Sequence, residues 1–225
     1  MLAAILKVSS RLGRGGANLV GGTAGTAFSL SNKRCVTCNH VVNDDLFKNP
    51  VGFAATRVVF VFEDGRVVNI ERSHVQRFPD KDVSIVSHPD LPAGKWELDI
   101  NPHSNQETVT ALGYYANKWP PNMAINTDIT PALIEKADAS TLLIRTTGVI
   151  MESREATVNA HDIKVKDLDI YQISAAVFVG MSGGPLLSAD NKIIGLLSFG
   201  LPADEIFKTQ RFAVWSGAWS QLAGL

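Results

Sequence analysis

Apolar residues in this chain fall into short blocks separated by turn-forming residues. Residues 57–62 read Arg-Val-Val-Phe-Val-Phe, a block rich in β-branched and aromatic side chains. Glu63-Asp64-Gly65-Arg66 follows as a turn, and Val67-Val68-Asn69-Ile70 returns. An Asp-Gly pair between two such blocks is a strong hairpin signal. Thr108 to Leu112, Leu142 to Arg145, Tyr171 to Ile173, Lys192 to Ser198 and Arg211 to Trp215 repeat the pattern. Met1 to Leu6 reads as a first strand. Gly25 to Leu30, a turn at Ser31 to Arg34, and Cys35 to Cys38 read as another hairpin. Helical periodicity is confined to Ala132–Ala137 and Trp215–Leu222. Many short strands at fairly regular spacing predict an all-β sandwich or barrel.

Two stretches interrupt this pattern. Gly13 to Gly25 is dense in glycine and reads as a loop; no Gly-Lys-Ser/Thr ending follows to make it a phosphate cradle. His88 to Gln106 carries Pro-Asp-Leu-Pro-Ala-Gly and Asn-Pro turn chemistry. It reads as a connection between two β units, residues 1–100 and 101–225.

Composition narrows the class. Apolar residues make up 45% and charged residues 19% of 225 residues, which suits a packed core. A formal charge of −1 gives no footprint for nucleic acid or for a polybasic membrane surface. No apolar run approaches the ~20 residues of a membrane span. The opening residues lack the basic segment and long apolar core of a signal peptide, which predicts a cytoplasmic protein. The two cysteines, Cys35 and Cys38, sit three apart in a strand-like run and so point to opposite faces. They read as buried thiols rather than as a redox pair or half a zinc site. No cofactor and no metal are expected. His74, His88, His103 and His161 lack metal-ligand spacing and read as surface residues.

Chemistry concentrates in Gly180-Met181-Ser182-Gly183-Gly184-Pro185. Glycines permit backbone conformations that a Cβ forbids. They let a serine stand exposed beside backbone N–H groups, the geometry an acyl-transfer nucleophile needs. By itself the hexapeptide also reads as a β-turn. A base is available in His40, where the Cys35–Cys38 strand ends, since imidazole takes and returns protons near neutral pH. A carboxylate is available in Asp82, at the entrance to the alternating Val83-Ser84-Ile85-Val86 strand.

Together, Gly-x-Ala-Phe with Val-Thr-x-x-His-Val-Val, then Asp-Val-Ser-Ile-Val, then Gly-Met-Ser-Gly-Gly-Pro resemble the chymotrypsin-fold, trypsin-like serine peptidases. They occur in that family's order, and the resemblance spans nearly the whole chain. It implies two six-stranded antiparallel β-barrels, the active site between them, and a short C-terminal helix. It implies a serine endopeptidase with Ser182 as nucleophile, His40 as general base and acid, and Asp82 holding His40. The N–H groups of Gly180 and Ser182 would form the oxyanion hole. Ser198-Phe199-Gly200 matches the strand that pairs with substrate backbone, with Ser198 beside Asp82. Ala175 and Ala176, with Ala213 opposite, would form an uncharged specificity pocket. Cleavage after apolar or small residues follows, unless Asp204 or Glu205 folds inward.

The resemblance departs from digestive enzymes in two ways. Met181 stands where those enzymes carry an aspartate that pairs with a new N-terminal amine, and their disulfides are missing. That pattern resembles intracellular bacterial, phage or viral members, with a protein or peptide as substrate. Two alternatives remain open: an effector protease inactive until a regulatory protein partner binds, and a protease-fold binding module without turnover.

Overall fold

The computed structural model describes residues 1–13, 16–49, 51, 55–115, 143–160, 163–201 and 210–224. The order of elements is β1 (Leu2–Gly13), β2 (Gly16–Ser29), β3 (Arg34–Cys38), α1 (Asp44–Phe47), β4 (Ala55–Phe62), β5 (Val67–Ile70), β6 (Val75–Phe78) and β7 (Val83–Ser87). Then come β8 (Thr108–Tyr114), β9 (Leu143–Ala160), β10 (Ile163–Ile173), β11 (Pro185–Ser188), β12 (Ile193–Leu201) and β13 (Gln210–Trp215). Strands dominate, as the blocks of Val, Ile, Phe and Tyr demand.

The strands form two sheets, in the manner of the chymotrypsin-like fold. The first is seven-stranded, in the order β5-β4-β1-β2-β3-β7-β6. Its outermost strands, β5 and β6, are consecutive in the chain and joined by the 3-10 turn Arg72–His74. The second is a closed barrel in the order β10-β13-β12-β11-β8-β9. The expected six strands are therefore found in the second unit, while the first uses seven. The extra pairing comes from β6, whose half-exposed Val-Gln-Arg-Phe has too weak an alternation to stand out in the sequence.

The glycine-rich stretch is corrected by the structure: its residues 16–25 are strand, not loop. Residues 16–29 are β2, which pairs with β1 along its length, Gly22 opposite Lys7 and Gly25 opposite Ile5. Ladder hydrogen bonds join backbone to backbone, so glycines weaken a strand without preventing its pairing. The Asp-Gly hairpin forms as expected, with Val58 opposite Ile70 and Val61 opposite Val67. The C-terminal helix is two 3-10 turns, Ser216–Ala218 and Ser220–Ala223. The helical reading of Ala132–Ala137, together with Trp119, His161, Asp204 and Glu205, lies outside the described residues. Among the described residues no helix is long and apolar enough to cross a membrane.

One apolar cluster runs through the first sheet and across to the second, joining Phe28, Phe60 and Val86 to Tyr114, Leu187, Phe212 and Trp219. Trp219 is fully buried with its ring 6.1 Å from that of Phe28, so the chain end packs under the first sheet. Each fully buried Phe stabilises this arrangement by about 1.5–3 kcal/mol. A second cluster fills the closed barrel with Val109, Ile150, Tyr171, Ile173, Met181 and Leu197. The two sheets thus share a core, which fixes the loops between them.

Candidate active site

His40 lies in the turn that follows β3. The turn is tied down from two directions. The Asn39 N–H donates to the main-chain oxygen of Asp82 at 3.0 Å, and the His40 N–H donates to Asp82 Oδ1 at 3.0 Å. From outside, Arg77 Nε donates to Asn39 Oδ1 at 2.7 Å, and Arg77 also pairs with Asp44 at the start of α1. Asn43 caps that helix by accepting the Leu46 N–H at 3.1 Å.

Asp82 is positioned by a change of backbone hand. Pro79–Lys81 form a 3-10 turn with the proline at its start, and Asp82 ends it in the left-handed region at φ 50°. Aspartate tolerates that conformation better than most residues. The turn packs against β10, an element of the other sheet. The carboxylate is thereby buried, with 1% of its side-chain surface exposed. It accepts the His40 N–H, meets His40 Nδ1 at 3.0 and 2.9 Å, and accepts the Ser198 hydroxyl. A carboxylate offers only acceptors, so Nδ1 carries the proton and the lone pair of Nε2 faces away from Asp82. Ser198 sits beside Asp82, as the resemblance implies.

Ser182 stands in a loop shaped by glycines. Gly180 and Gly183 have φ of +95° and +88°. A Cβ on Gly183 would lie 2.0 Å from the carbonyl oxygen of Thr26, so no other residue fits. Thr26 on β2 holds the loop at two points: its hydroxyl donates to the Gly180 carbonyl at 2.8 Å, and its N–H donates to the Ser182 carbonyl at 2.8 Å. The same hydroxyl accepts the Tyr114 N–H from β8 at 2.9 Å, so one side chain links both sheets to this loop. Among the described residues, the N–H groups of Gly180 and Ser182 donate to nothing. The Ser182 hydroxyl donates to the Ser198 carbonyl at 3.1 Å, and no hydrogen bond joins it to His40. His40, Asp82, Ser198 and Ser182 therefore form one connected set, with the serine turned toward Ser198.

The residues assigned to a specificity pocket fall in different settings. Ala175 and Ala213 are fully buried in the barrel cluster and present no surface. Ala176 is half-buried, and its carbonyl accepts the Thr146 hydroxyl at 2.6 Å. In β12, pairing to β13 breaks between Leu197 and Gly200, leaving the backbone of Ser198 and Phe199 out of that ladder. Met181 is buried in the same cluster, and its sulfur accepts the Phe178 N–H at 3.3 Å. Phe178 and Val179, just before Gly180, are exposed.

The contributions of Thr26, Asn39 and Arg77 were not visible in the sequence. Thr26 had a signal in the Gly-x-Ala-Phe strand, but nothing there showed which face it took. Cys35 and Cys38 are free and fully buried, as expected. Burial pushes the Cys35 thiol up to about 12 and raises Cys38 well above the usual thiol value. His103 is corrected from the surface: it is largely buried, with Nδ1 2.6 Å from Glu107 and its ring edge-on to Tyr171.

No significant match appears among curated proteins. Among solved structures, the inactive form of the Rv3671c protease of M. tuberculosis superposes with a TM-score of 0.60 at 20% identity, covering 97% of this chain and 86% of that one. Its active form gives 0.57 at 20% identity, covering 97% and 78%. The HtrA-type protease AlgW with a decapeptide gives 0.66 at 15% identity, covering 99% of this chain and 63% of that one. At these identities the likeness is one of fold. The sequence itself matches the trypsin-like peptidase domain over residues 25–196, which is most of the chain and includes His40, Asp82 and Ser182; the chain belongs to the trypsin-like peptidase domain family.

Proposed function

We propose that this protein is a serine endopeptidase working through Ser182, His40 and Asp82, with residues 1–100 supplying the histidine and aspartate and residues 101–225 the serine. The observation that carries this reading is the connected set from His40 through Asp82 and Ser198 to Ser182, beside the N–H groups of Gly180 and Ser182, which find no acceptor among the described residues. Rotation of Ser182 about χ1 releases the Ser198 carbonyl and brings the hydroxyl to His40 Nε2. Ser182 Oγ attacks the scissile carbonyl while Nε2 takes its proton. The oxyanion forms against the N–H groups of Gly180 and Ser182, each donor worth about 3 kcal/mol in the transition state. His40 then passes the proton to the leaving amine, and water, activated by the same histidine, hydrolyses the acyl-enzyme. Cleavage after apolar or small residues fits the uncharged, half-buried Ala176, the member of the assigned pocket that keeps some surface.

The test is labelling with a fluorophosphonate probe. Modification at Ser182, lost in His40→Ala, supports the reading; labelling that survives Ser182→Ala overturns it. A cleavage profile over a peptide library tests specificity, and a sharp preference for Lys or Arg overturns the apolar pocket.

A second reading is favoured by one contact. With the Ser182 hydroxyl on the Ser198 carbonyl, the site is not poised for attack, as suits a protease held off until a partner binds. The fold accommodates such states, since Rv3671c has been crystallised in an inactive and an active form. Slow labelling of the isolated protein, raised strongly by a bound protein, supports this reading; fast labelling alone overturns it.

A further inference from the structure

We infer that Cys38, His40 and Asp82 form a binding site for a borderline-soft divalent cation of the Zn2+ class, and that filling it disables His40 as a base. The site itself stands on geometry; the consequence for His40 rests on the function proposed above. One ligand atom from each residue, a thiol sulfur, an imidazole nitrogen and a carboxylate oxygen, lies within 4.8 Å of the other two. Tetrahedral zinc binds sulfur at about 2.3 Å and nitrogen or oxygen at about 2.0–2.1 Å, which sets nitrogen and oxygen ligands about 3.3 Å apart. His40 Nδ1 and the Asp82 carboxylate are now 2.9–3.0 Å apart. A cation needs these two to part by a few tenths of an ångström and the Cys38 sulfur, within 4.8 Å of both, to come to about 3.6 Å from them.

The donors are already held in place. Cys38 ends β3, and two residues later His40 is fixed by its own N–H on Asp82. The Ser198 hydroxyl orients the carboxylate from the far side, as outer partners of metal ligands do. The Cys38 S–H donates to the Leu197 carbonyl at 3.0 Å. That carbonyl also accepts the Gly183 N–H at 2.8 Å, so it keeps a partner when the thiol proton leaves. Cys35, the other thiol of the Cys-x-x-Cys, is not in the cluster; it faces Ser29.

Charge and ligand type choose the cation. Cys38 and Asp82 are fully buried, and a thiolate plus a carboxylate around a 2+ ion is neutral, whereas Asp82 now sits buried with N–H and O–H donors alone. Thiolate and imidazole ligands exclude Mg2+ and Ca2+, which take oxygen. His40, with 21% of its side chain exposed, provides the way in. On binding, the Cys38 thiol proton goes to solvent. The Nδ1 proton leaves and Nε2 gains one, so the imidazole stays neutral and one proton is released per cation. With Nε2 protonated, His40 has no lone pair for the Ser182 proton.

Co2+ is the probe. Titration of the whole protein is expected to give a thiolate-to-cobalt charge-transfer band at one ion per chain, displaced by Zn2+. The band is expected in Cys35→Ala and absent in Cys38→Ala and Cys38→Ser, the serine variant guarding against a folding defect in the alanine one. No band in the wild type, or a band that persists in either Cys38 variant, overturns the site. Zn2+ is also expected to block fluorophosphonate labelling of Ser182, a chelator to restore it, and Cys38→Ser to require at least tenfold more Zn2+. If the isolated wild type is never labelled, the reading of a protease active without a partner fails, and the cobalt band still decides the site.

Discussion

The main-chain oxygen of Ser198 accepts the hydroxyl of Ser182, while the Ser198 side chain donates to Asp82 Oδ2. One residue of β12 therefore touches both the proposed nucleophile and the carboxylate that orients the proposed base. The two contacts separate under mutation, because Ser198→Ala removes the hydroxyl and keeps the carbonyl. Losing a donor to a buried carboxylate costs about 1–3 kcal/mol. Ser198→Ala is expected to lower kcat/KM by about 5- to 150-fold, with the loss in kcat. Steady-state kinetics on a peptide substrate checks this, and a loss confined to KM counts against the positioning role.

Thr26 offers a test from the opposite sheet. Thr26→Val keeps shape and removes a hydroxyl that donates to Gly180 and accepts from Tyr114. The Tyr114 N–H and the Gly180 carbonyl are then left without partners in a buried setting, at a cost of about 1–3 kcal/mol each at most. The midpoint of urea unfolding is expected to fall. The rate of fluorophosphonate labelling is expected to fall as well under conditions where the variant is fully folded, because the Gly180 peptide is no longer held. Reduced stability with an unchanged labelling rate would assign Thr26 to the fold alone.

Two glycines with similar backbone conformations separate strain from crowding. Gly65, in the hairpin turn, has φ +79° and open space where a Cβ would sit. Gly183 has φ +88° and would place a Cβ 2.0 Å from the Thr26 carbonyl oxygen and 2.3 Å from Thr37 Oγ1. Gly65→Ala is expected to cost about 1–2 kcal/mol, the left-handed penalty alone. Gly183→Ala is expected to cost at least twice as much, because Thr26 is held in the β1–β2 ladder opposite Ala4 and its carbonyl accepts the Thr37 hydroxyl at 2.7 Å, so it cannot move aside without breaking these contacts. Thermal or urea unfolding of the two variants gives the comparison directly.

The sequence made some of this legible and hid the rest, for physical reasons. The Asp-Gly hairpin at 63–66 and the strand after Asp82 were readable because local turn chemistry and alternation fix them. The Ser198–Asp82 contact was readable only through likeness to a family, since it joins residues far apart in the chain. The first part of β2, before Gly25, was misread because glycine is a turn residue in local statistics, while its pairing with β1 is a tertiary event. Thr26 and the Arg77–Asn39 bond are side-chain contacts across strands, and no local pattern encodes their direction. The Ser182 hydroxyl bonding the Ser198 carbonyl rather than His40 is a side-chain contact between distant residues, below anything a motif specifies.

The buried thiols predict an asymmetry at alkaline pH. Burial raises the Cys35 thiol from 9.0 to about 12 in the folded chain, against a weaker opposing effect of the Ser29 hydroxyl. Below pH 9 both folded and unfolded chains carry the proton, and stability does not change on this account. Between about pH 9 and 12 the unfolded chain releases the proton and the folded chain keeps it. Unfolding is then favoured increasingly, by about 1.4 kcal/mol per pH unit for one such group. Cys38, Tyr114 and Tyr171 are raised as well and act in the same direction. They cancel when wild type and Cys35→Ala are compared at each pH. The alanine variant is expected to be less stable at pH 7, where it has lost packing. Its deficit is expected to shrink by about 1.4 kcal/mol per unit as pH passes from about 9 to 10.5. Urea unfolding under reducing conditions at several pH values measures that gap, and a gap that stays constant would mean that Cys35 ionises as readily folded as unfolded.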